Sequence, residues 1–321
     1  MRLFSLDEVK RSIDMPQAIA AMERAFLQLA RHQVQLPLRT GIPVQDGHAL
    51  TLTMPAYLMA EKSLGLKVVS VFPDNAAKNK PVINGFIMLL DAETGEPKAL
   101  MDAGYLTALR TGAVSGLATK YFAADSASHV AIIGAGVQAE TQLQAVAAVR
   151  DIKRVSLWSR SADKARQFAQ QYAHQYDVQV FESISDAVRE ADIICTATGS
   201  VEPLIHLADV QPHAHINAIG SHTRMMKEIA NDVLHQAAVI VDQREAALAE
   251  AGEIISAFEA GVLKKSSIIE IGQYLLEKKD DVKNRLTVFK SVGLAIQDMS
   301  VAAQVYENAV KQGLGKVFSM S

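Results

Sequence analysis

The stretch His129-Val130-Ala131-Ile132-Ile133-Gly134-Ala135-Gly136-Val137-Gln138-Ala139 decides the fold of this chain. The apolar run that ends at Ile133 is typical of a strand that is covered on both faces of a parallel sheet. The residues that follow have the spacing Gly-x-Gly-x-x-Ala, and a helical pattern begins within them. A buried strand, a glycine-rich turn and a helix in this order predict a βαβ unit that binds the phosphates of a dinucleotide.

An alternation of strands and helices continues downstream of this stretch. We predict strands over 154–158, 178–181, 192–196, 214–219 and 239–242, and helices over 138–149 and 162–176. Such alternation is the signature of a Rossmann-type, doubly wound parallel sheet, so the predicted fold class is α/β.

A different rhythm precedes residue 125, with one helix, several strands and a second helix. Asp14 and Gln17 form a capping box for the first helix. The strands predicted over 48–57, 64–72, 82–91 and 98–101 follow one another without intervening helices, which predicts an antiparallel sheet. The second helix, over 106–122, is rich in glycine and alanine and therefore thin enough for another backbone to approach closely.

The chain ends in a long predicted helix from about Leu294 to Gln312, with apolar residues at 3-4-3-4 spacing. We expect this helix to leave the nucleotide domain and to complete the N-terminal α+β domain. The predicted domains are therefore 1–122 together with 296–321, and a dinucleotide-binding domain over 123–295.

Composition and charge argue against nucleic-acid and membrane partners. The formal net charge of −3 gives no electrostatic footprint for a polyanion, and no apolar run is long enough to span a bilayer. The single cysteine, Cys195, rules out an internal disulfide and fits a reducing compartment. Because no apolar signal-peptide core follows Met1, we expect a cytoplasmic protein. The histidines lack a metal-site pattern, so we expect no metal.

Individual positions of the glycine-rich turn have distinct predicted roles. Gly134 makes the tight turn, Gly136 lets a pyrophosphate approach bare backbone, and Ala139 keeps the helix close to the strand. The helix N-terminus, at Val137 and Gln138, supplies amide donors and a partial positive charge. The alternative is an ordinary strand-to-helix turn of an α/β protein.

The end of the next predicted strand distinguishes the two nicotinamide dinucleotides. An NAD-dependent enzyme usually places an acid there for the ribose 2′-hydroxyl, whereas this chain reads Trp158-Ser159-Arg160-Ser161. Arg160 can bind a 2′-phosphate with two hydrogen bonds, and Ser159 and Ser161 can donate to it. We therefore predict NADPH as the cofactor, with NADH possible. The alternative is that Arg160 is a solvated loop charge.

Six motifs occur in order along nearly the whole chain. They are Leu38-Arg39-Thr40, Gly65-Leu66-Lys67-Val68-Val69, Thr107-Ala108-Leu109-Arg110-Thr111-Gly112-Ala113, the turn from Gly134 to Ala139, Ile219-Gly220-Ser221, and Ser291-Val292-Gly293-Leu294-Ala295. Together they resemble the ornithine cyclodeaminase/mu-crystallin family. The resemblance implies a homodimer whose N-terminal domain forms β-structure shared across the dimer, and a small α-amino or α-imino acid as substrate, bound between the two domains.

The resemblance assigns three cations, Arg39, Lys67 and Arg110, to the substrate carboxylate. Planar guanidinium groups and a point ammonium charge suit that role. Lys67 lies between Leu66 and Val68 in a predicted strand, so its side chain points opposite to theirs. Taken singly, each cation is alternatively a solvated surface charge.

The resemblance also extends the cofactor site. It implies Thr111 near the cofactor phosphates, and Thr196, Ala197 and Thr198 near the nicotinamide ribose. Ile219 belongs to the motif at the end of the following strand. Ser291, Val292 and Gly293 resemble the segment that lines the nicotinamide ring. For each of these residues, the alternative is ordinary packing at the end of a strand.

One position departs from the pattern of the family's cyclodeaminases. They have an aspartate, which serves as the base, two residues beyond the glycine that is Gly220 here, whereas this chain has His222. A neutral histidine exchanges protons near pH 7 because its ordinary pKa is about 6.5. It does not provide a standing negative charge for an iminium, so cyclodeamination is disfavoured. A loop histidine that caps a helix is the structural alternative.

The resemblance implies reduction of a cyclic ketimine as one of the family's chemistries, and the residues above favour it over cyclodeamination. NADPH would give a hydride to the C=N carbon of Δ1-pyrroline-2-carboxylate or Δ1-piperideine-2-carboxylate, forming L-proline or L-pipecolate. His222 or Lys67 is predicted to supply the proton, and like charge from the arginines should lower the pKa of Lys67. The alternatives are an ornithine cyclodeaminase, an alanine dehydrogenase, and a crystallin-like NADPH-binding protein without turnover, which would not need the three cations.

Overall fold

The computed structural model describes residues 1–46, 48–278 and 282–319. The chain divides into two compact units. The first comprises Met1–Arg110 and Leu294–Ser321, and the second comprises Thr111–Gly293. Each unit has its own sheet.

The N-terminal part of the first unit carries most of its strands. In chain order the elements are β1 (Arg2–Phe4), α1 (Leu6–Ser12), α2 (Met15–Ala30), β2 (Val34–Gln35), β3 (Thr40–Val44), β4 (Ala49–Leu58), β5 (Ser63–Val71), β6 (Ile83–Leu90), β7 (Pro97–Asp102) and α3 (Ala103–Phe122). The helix α2 begins with the predicted capping box, since the Gln17 N–H donates to Asp14 Oδ1 at 2.8 Å and the Asp14 N–H donates to Gln17 Oε1. The short elements β1, α1, β2 and β3 were not predicted.

The sheet of the first unit positions Lys67. Its strands lie in the order β1-β7-β6-β5-β4-β2, with β3 paired to β4, and β4 to β7 are antiparallel to one another, as predicted. Burial alternates along β5, with Lys67 and Val69 on the buried face and Leu66 and Val68 on the other. Lys67 therefore points away from its two neighbours, as the geometry of a strand requires.

The second unit has the predicted alternation of strands and helices. Its elements are β8 (His129–Ile133), α4 (Val137–Ala147), β9 (Arg154–Trp158), α5 (Ala162–Tyr172), β10 (Asp177–Val180), α6 (Ile184–Val188), β11 (Ile193–Thr196), β12 (His215–Ala218), α7 (Asn231–Gln236), β13 (Ala238–Val241), α8 (Arg244–Glu250), α9 (Gly252–Glu259), β14 (Ile269–Glu270), α10 (Ile271–Glu277) and β15 (Thr287–Lys290). The strands pair in parallel in the order β10-β9-β8-β11-β12-β15-β13-β14. The α/β prediction is confirmed, although β14 and β15 were not predicted.

The parallel sheet is covered on both faces. Along β8, Val130 and Ile132 belong to one buried apolar cluster, and Ala131 and Ile133 belong to another. Successive side chains of a strand point to opposite faces, so the two clusters lie on opposite sides. The strand order reverses at β8, because β9 lies on one side of it and β11 on the other. In sheets of this kind, ligands bind beyond the carboxyl ends of the strands at the reversal.

The helix α3 approaches α4 very closely. A Cβ on Gly112 would lie 2.4 Å from the backbone oxygen of Thr141, and Gln142 Nε2 donates to Thr111 O at 3.3 Å. This is the close backbone approach that the thin helix predicts. The second unit begins at Thr111, whereas the sequence pattern changes only after residue 122.

The chain closes with α11 (Ala295–Lys311) and β16 (Lys316–Val317), which pairs with β1. The helix α11 lies in the first unit. Ser300 Oγ donates to Ala21 O at 2.9 Å, Ser63 Oγ donates to Met299 O at 3.1 Å, and Asn308 Nδ2 donates to Ser12 O at 2.8 Å. Among the described residues, every helix is too short or too polar to cross a membrane.

Candidate active site

The turn after β8 has the geometry that a dinucleotide site needs. The Gly134 N–H donates to Trp158 O at 2.8 Å, its φ is +121°, and a Cβ there would lie 2.7 Å from Ala197 O. Only glycine fits this position without strain. A Cβ on Gly136, in contrast, would meet no atom within 4 Å. Packing within the protein therefore does not require glycine at Gly136, and the open space beside its backbone suits a pyrophosphate.

A cavity of about 270 Å³ opens beside this turn. It is lined by Gly134, Ala135, Gly136, Trp158, Ser159, Arg160, Ser161, Lys164, Ala197, Thr198, Gly199, Ser200 and Leu204. The structure thus brings together the glycine-rich turn, the loop after β9 and the residues after β11, as the sequence predicts. Of the other predicted cofactor residues, Ala139 is buried at the start of α4, and none of Thr111, Val137, Gln138, Thr196, Ile219 and Ser291 to Gly293 is part of this lining.

The loop after β9 is positively charged. Ser161 caps α5, with its Oγ accepting from the Lys164 N–H at 3.3 Å, and the Ser161 N–H donates to Ser159 Oγ at 3.3 Å. Lys164 lines the cavity together with Arg160. Lys164 was not predicted from the sequence. None of the described residues that line the cavity is acidic. A phosphate with two negative charges suits this end of the cavity.

Two buried acids, both missed from the sequence, fix the backbone at strand ends of the second unit. Glu228 accepts from Thr196 Oγ1 at 2.8 Å, from the Thr198 N–H at 2.7 Å and hydroxyl at 2.8 Å, and from the Gly220 N–H at 2.8 Å. Burial raises the pKa of Glu228, and the charge of Lys290 opposes this rise. The carboxylate therefore ties the end of β11 to the turn after β12.

The second acid is Asp242, at the end of β13. Its Oδ2 accepts from Ser291 Oγ at 2.8 Å, from the Val292 N–H at 2.9 Å and from the Gly293 N–H at 3.0 Å. Burial raises the pKa of Asp242, and these hydrogen bonds lower it. Ser291, Val292 and Gly293 are thus held by one carboxylate. From sequence alone neither acid differs from the many solvated Asp and Glu residues, because each follows a strand in a polar segment.

The turn that carries His222 rests on a buried ion pair. Lys290 Nζ donates to Ser221 O at 2.5 Å and lies 3.3 Å from Glu253 Oε1, and Ser221 Oγ donates to Glu253. His222 itself is exposed, and its Nδ1 lies 3.0 Å from Gly220 O. A carbonyl oxygen only accepts, so Nδ1 carries the hydrogen. His222 Nε2 is therefore the nitrogen that takes up or releases a proton.

The first unit holds two of the predicted substrate cations, Lys67 and Arg110, in a buried cluster, with the third, Arg39, nearby. Lys67 Nζ lies 2.8 Å from Asp298 Oδ2, and Arg110 Nε donates to Asp298 Oδ1 at 3.1 Å. Arg110 Nη1 also donates to Gln297 Oε1 at 2.9 Å. The half-buried Arg39 is close enough to lower the pKa of Lys67. The three cations predicted from the resemblance therefore do come together, and the two partners from α11 were missed.

The environment of Lys67 brings the pKa of its ammonium group toward neutral pH. Burial lowers the pKa of its ammonium group to about 8, Asp298 opposes this fall, and Arg110 and Arg39 add to it. Lys67 is only 1% exposed. The lowering that the sequence predicts from like charge is present, although burial is its larger cause.

Two other chemistries lack support in the described residues. No group of three or more His, Cys, Asp or Glu side chains there is arranged to hold a metal ion. Cys195 is buried, and burial raises the pKa of its thiol to about 12. The thiol is therefore protonated and inert at physiological pH.

A model of the ornithine cyclodeaminase/mu-crystallin family matches residues 2–313. The chain belongs to this family. Within it, Δ1-pyrroline-2-carboxylate reductase of Bacillus cereus is 38% identical over 98% of this chain and 99% of that protein. Ketimine reductase mu-crystallin of Rattus norvegicus is 35% identical over 86% of this chain and 85% of that protein.

Two solved structures share the whole fold. Thermococcus litoralis Δ1-pyrroline-2-carboxylate reductase, in complex with NADH and L-proline, has a TM-score of 0.95 at 36% identity and covers 99% of this chain and 100% of its own. An archaeal alanine dehydrogenase dimer with bound NAD has a TM-score of 0.93 at 33% identity and covers 100% of this chain and 99% of its own. The predicted fold and family are therefore confirmed. The family binds nicotinamide dinucleotides, and the bare backbone at Gly136 fits one.

Proposed function

We propose that this chain is an NAD(P)H-dependent reductase of small cyclic ketimines that carry a carboxylate. Its substrates would be Δ1-pyrroline-2-carboxylate and Δ1-piperideine-2-carboxylate, and its products L-proline and L-pipecolate. The observation that carries the proposal is the buried cluster of Lys67, Arg110 and Asp298. It joins a carboxylate-binding guanidinium to an ammonium group that can lose a proton.

The residues of the first unit supply binding and the proton. Arg110 and Arg39 bind the substrate carboxylate, because guanidinium groups form paired hydrogen bonds with it. The dinucleotide, when bound, supplies the hydride to the imine carbon. Lys67 Nζ gives a proton to the imine nitrogen, which completes the amine. His222 is the second candidate for proton transfer, through Nε2.

The cofactor preference belongs to the same proposal. Arg160 and Lys164 line the cavity, and no acid is among the described residues of that lining, which supports NADPH over NADH. The Thermococcus relative was solved with NADH, so both dinucleotides belong in the assay.

The proposal includes a homodimer in the cytoplasm. One face of the first unit's sheet is apolar and only half-buried, with Leu66 opposite Met88 and Val68 opposite Phe86. Of these residues, Phe86 is 38% exposed. We assign a second copy of the chain to this face, since the archaeal alanine dehydrogenase relative is a dimer. Light scattering tests the dimer, and a monomer would contradict it.

The cytoplasmic assignment rests on the lone reduced Cys195.

The test is the loss of reduced-nicotinamide absorbance with each cyclic imine, using NADPH and NADH in matched reactions. Fast turnover of an imine supports the proposal. Turnover of pyruvate with ammonia instead would identify an alanine dehydrogenase, and ammonia release from ornithine would identify a cyclodeaminase. Dinucleotide binding without any turnover would identify a binding protein.

A pair of variants tests the role of Lys67. Lys67→Met should abolish imine reduction. Lys62→Met should not, because Lys62 precedes the same strand but pairs with Glu93 on the surface. Full activity of Lys67→Met would mean that another group supplies the proton, and His222 is the first to examine.

A further inference from the structure

Asp298 is a fully buried carboxylate that joins the two buried cations of the first unit. Its Oδ2 lies 2.8 Å from Lys67 Nζ, and its Oδ1 accepts from Arg110 Nε at 3.1 Å. Each oxygen thus meets a different cation. The acid lies in the first turn of α11, where the helix dipole favours a negative charge.

We propose that Asp298 is a positioning residue, which holds the Lys67 ammonium group and the Arg110 guanidinium group in one fixed arrangement for proton transfer. The inference rests on the proposed function. The proton donor and the group that binds the carboxylate then act as a unit, so the substrate's carboxylate and its imine nitrogen are oriented together.

The packing of α11 on β5 fixes the carboxylate. A Cβ on Gly65 would lie 2.2 Å from Met88 O of the neighbouring strand β6 and 2.9 Å from Met299 Sδ of α11, so the Met299 side chain packs directly on the strand backbone at Gly65. Ser63 Oγ donates to Met299 O at 3.1 Å and holds the same turn of the helix. Asp298 precedes Met299, and Lys67 follows Gly65 by two residues on the same face of β5. Helix and strand therefore hold the ion pair from both sides.

Asp298 also opposes every other influence on the Lys67 proton. The charged groups that face Lys67 are Asp298 from α11, Arg110 from α3 and Arg39 from the segment before β3. Burial and both arginines favour the neutral amine, and Asp298 favours the ammonium form. Without the carboxylate, burial and the two arginines all favour the neutral form of Lys67. The pKa of Lys67 then falls below its present value of about 8.

The variant Asp298→Asn keeps the shape of the side chain and removes its charge. Imine reduction needs the protonated form of Lys67, so kcat/KM is lost as the pH rises through the pKa of that group. In the native protein we expect this loss near pH 8. In Asp298→Asn we expect it about two pH units lower, so that the protonated fraction of Lys67, and with it kcat/KM, falls roughly tenfold at pH 7. Titration of the imine itself is common to all variants and cancels in the comparison.

Two further variants separate positioning from folding. Ser300→Ala removes a buried hydrogen bond of the same helix, to Ala21 O, without touching the cluster, and should leave the pH profile in place. Asp298→Glu keeps the charge and moves it by one methylene group, so we expect kcat to fall about tenfold with the alkaline loss still near pH 8. If Asp298→Asn does not fold, Asp298→Glu alone decides, and native kcat in that variant overturns the proposal.

Failure of this inference differs from failure of the proposed function. A native protein that reduces neither cyclic imine refutes the function, whatever the variants do. A native protein that reduces an imine, with the same pH profile in Asp298→Asn, refutes only the role of Asp298. Binding of pyrrole-2-carboxylate gives a second readout. As the pH rises, binding should begin to weaken at a lower pH in Asp298→Asn than in the native protein. Equal pH dependence in the two proteins would contradict the inference.

Discussion

At the scale of single residues, Gly134 and Gly136 lack a side chain for different reasons. A Cβ on Gly134 would meet Ala197 O at 2.7 Å, and its φ is +121°, so Gly134→Ala should lower the free energy of unfolding by about 1–3 kcal/mol. A Cβ on Gly136 would meet no protein atom within 4 Å. Gly136→Ala should therefore lower the free energy of unfolding by no more than about 1 kcal/mol, since glycine is the better N-cap of α4, and weaken NADPH binding roughly tenfold, a loss of about 1.4 kcal/mol.

Thermal unfolding with and without NADPH measures both effects, because a bound ligand stabilises the folded state by an amount that grows with the logarithm of its affinity. Gly134→Ala serves as the control for damage to the turn itself. Native stabilisation of Gly136→Ala by NADPH would contradict the placement of the pyrophosphate at this backbone.

The charges after β9 give the second prediction at this scale. A hydrogen bond to a charged group contributes about 1.5–3 kcal/mol, so Arg160→Ala should lower kcat/KM for NADPH at least about tenfold and leave that for NADH unchanged. Lys164→Ala should act in the same direction. Arg166→Ala is the matched control, because Arg166 lies on the same helix but pairs with Asp163 outside the cavity. Steady-state kinetics with both dinucleotides measures the ratio, and an equal loss with both would refute a 2′-phosphate site.

The sequence predicts cations of the site better than its acids. Arg39, Lys67 and Arg110 stand in motifs whose resemblance assigns them a role, and the structure brings them together. Asp298, Glu228 and Asp242 stand in no such motif. Each is buried, but burial depends on packing between distant segments. A sequence pattern does not distinguish such an acid from a solvated one.

At the scale of elements, the contact between α3 and α4 depends on one missing side chain. A Cβ on Gly112 would lie 2.4 Å from Thr141 O, which is backbone and cannot rotate away. Gly112→Ala should therefore lower the free energy of unfolding by about 1–3 kcal/mol. Gly104→Ala in the same helix is the control, because the nearest atom there is Asp102 Oδ1 at 3.4 Å, and alanine is the better helix former by up to about 1 kcal/mol. Denaturant unfolding measures both, and equal stability of the two variants would refute the tight contact.

Elements with a strong local pattern were predicted and short ones were not. The capping box of α2 and the strand-turn-helix from β8 to α4 carry their signals within a few residues. In contrast, β15 spans only Thr287–Lys290 and takes its place between β12 and β13 from its neighbours. Likewise β1 has three residues and pairs with β7 and β16, which lie far along the chain. Such strands exist because of tertiary pairing, which local periodicity does not report.

At the scale of the whole molecule, buried titratable groups decide how stability depends on pH. His215 is buried, and burial lowers its pKa to about 3. Its partners fix it as the neutral ring, since Nε2 lies 3.2 Å from Asn217 Oδ1 and Nδ1 lies 2.8 Å from Thr287 Oγ1. An amide oxygen only accepts, so Nε2 carries the hydrogen and Nδ1 accepts from the threonine. Protonation would place an unpaired charge in the interior.

The sign of the pH effect follows from the two states. In the unfolded chain a histidine has a pKa of about 6.5, so below that pH the unfolded state binds a proton that folded His215 does not. The stability from neutral His215 is full above about pH 6.5 and is lost as the pH falls toward 3. Glu228 and Asp242 act in the opposite direction. Burial raises the pKa of each in the folded state, so their protonation on acidification relieves a buried charge.

The variant His215→Gln isolates the histidine from the acids, because glutamine keeps a hydrogen-bonding side chain and does not titrate. Between pH 7 and pH 5, we expect His215 to make the native protein lose about 2 kcal/mol more of its free energy of unfolding than the variant loses. Denaturant unfolding at the two pH values measures the difference, and His213→Gln, at a half-exposed neighbouring histidine, is the matched control. A loss that is equal in native protein and His215→Gln would mean that another group sets the acid sensitivity, and the neutral buried ring would be refuted.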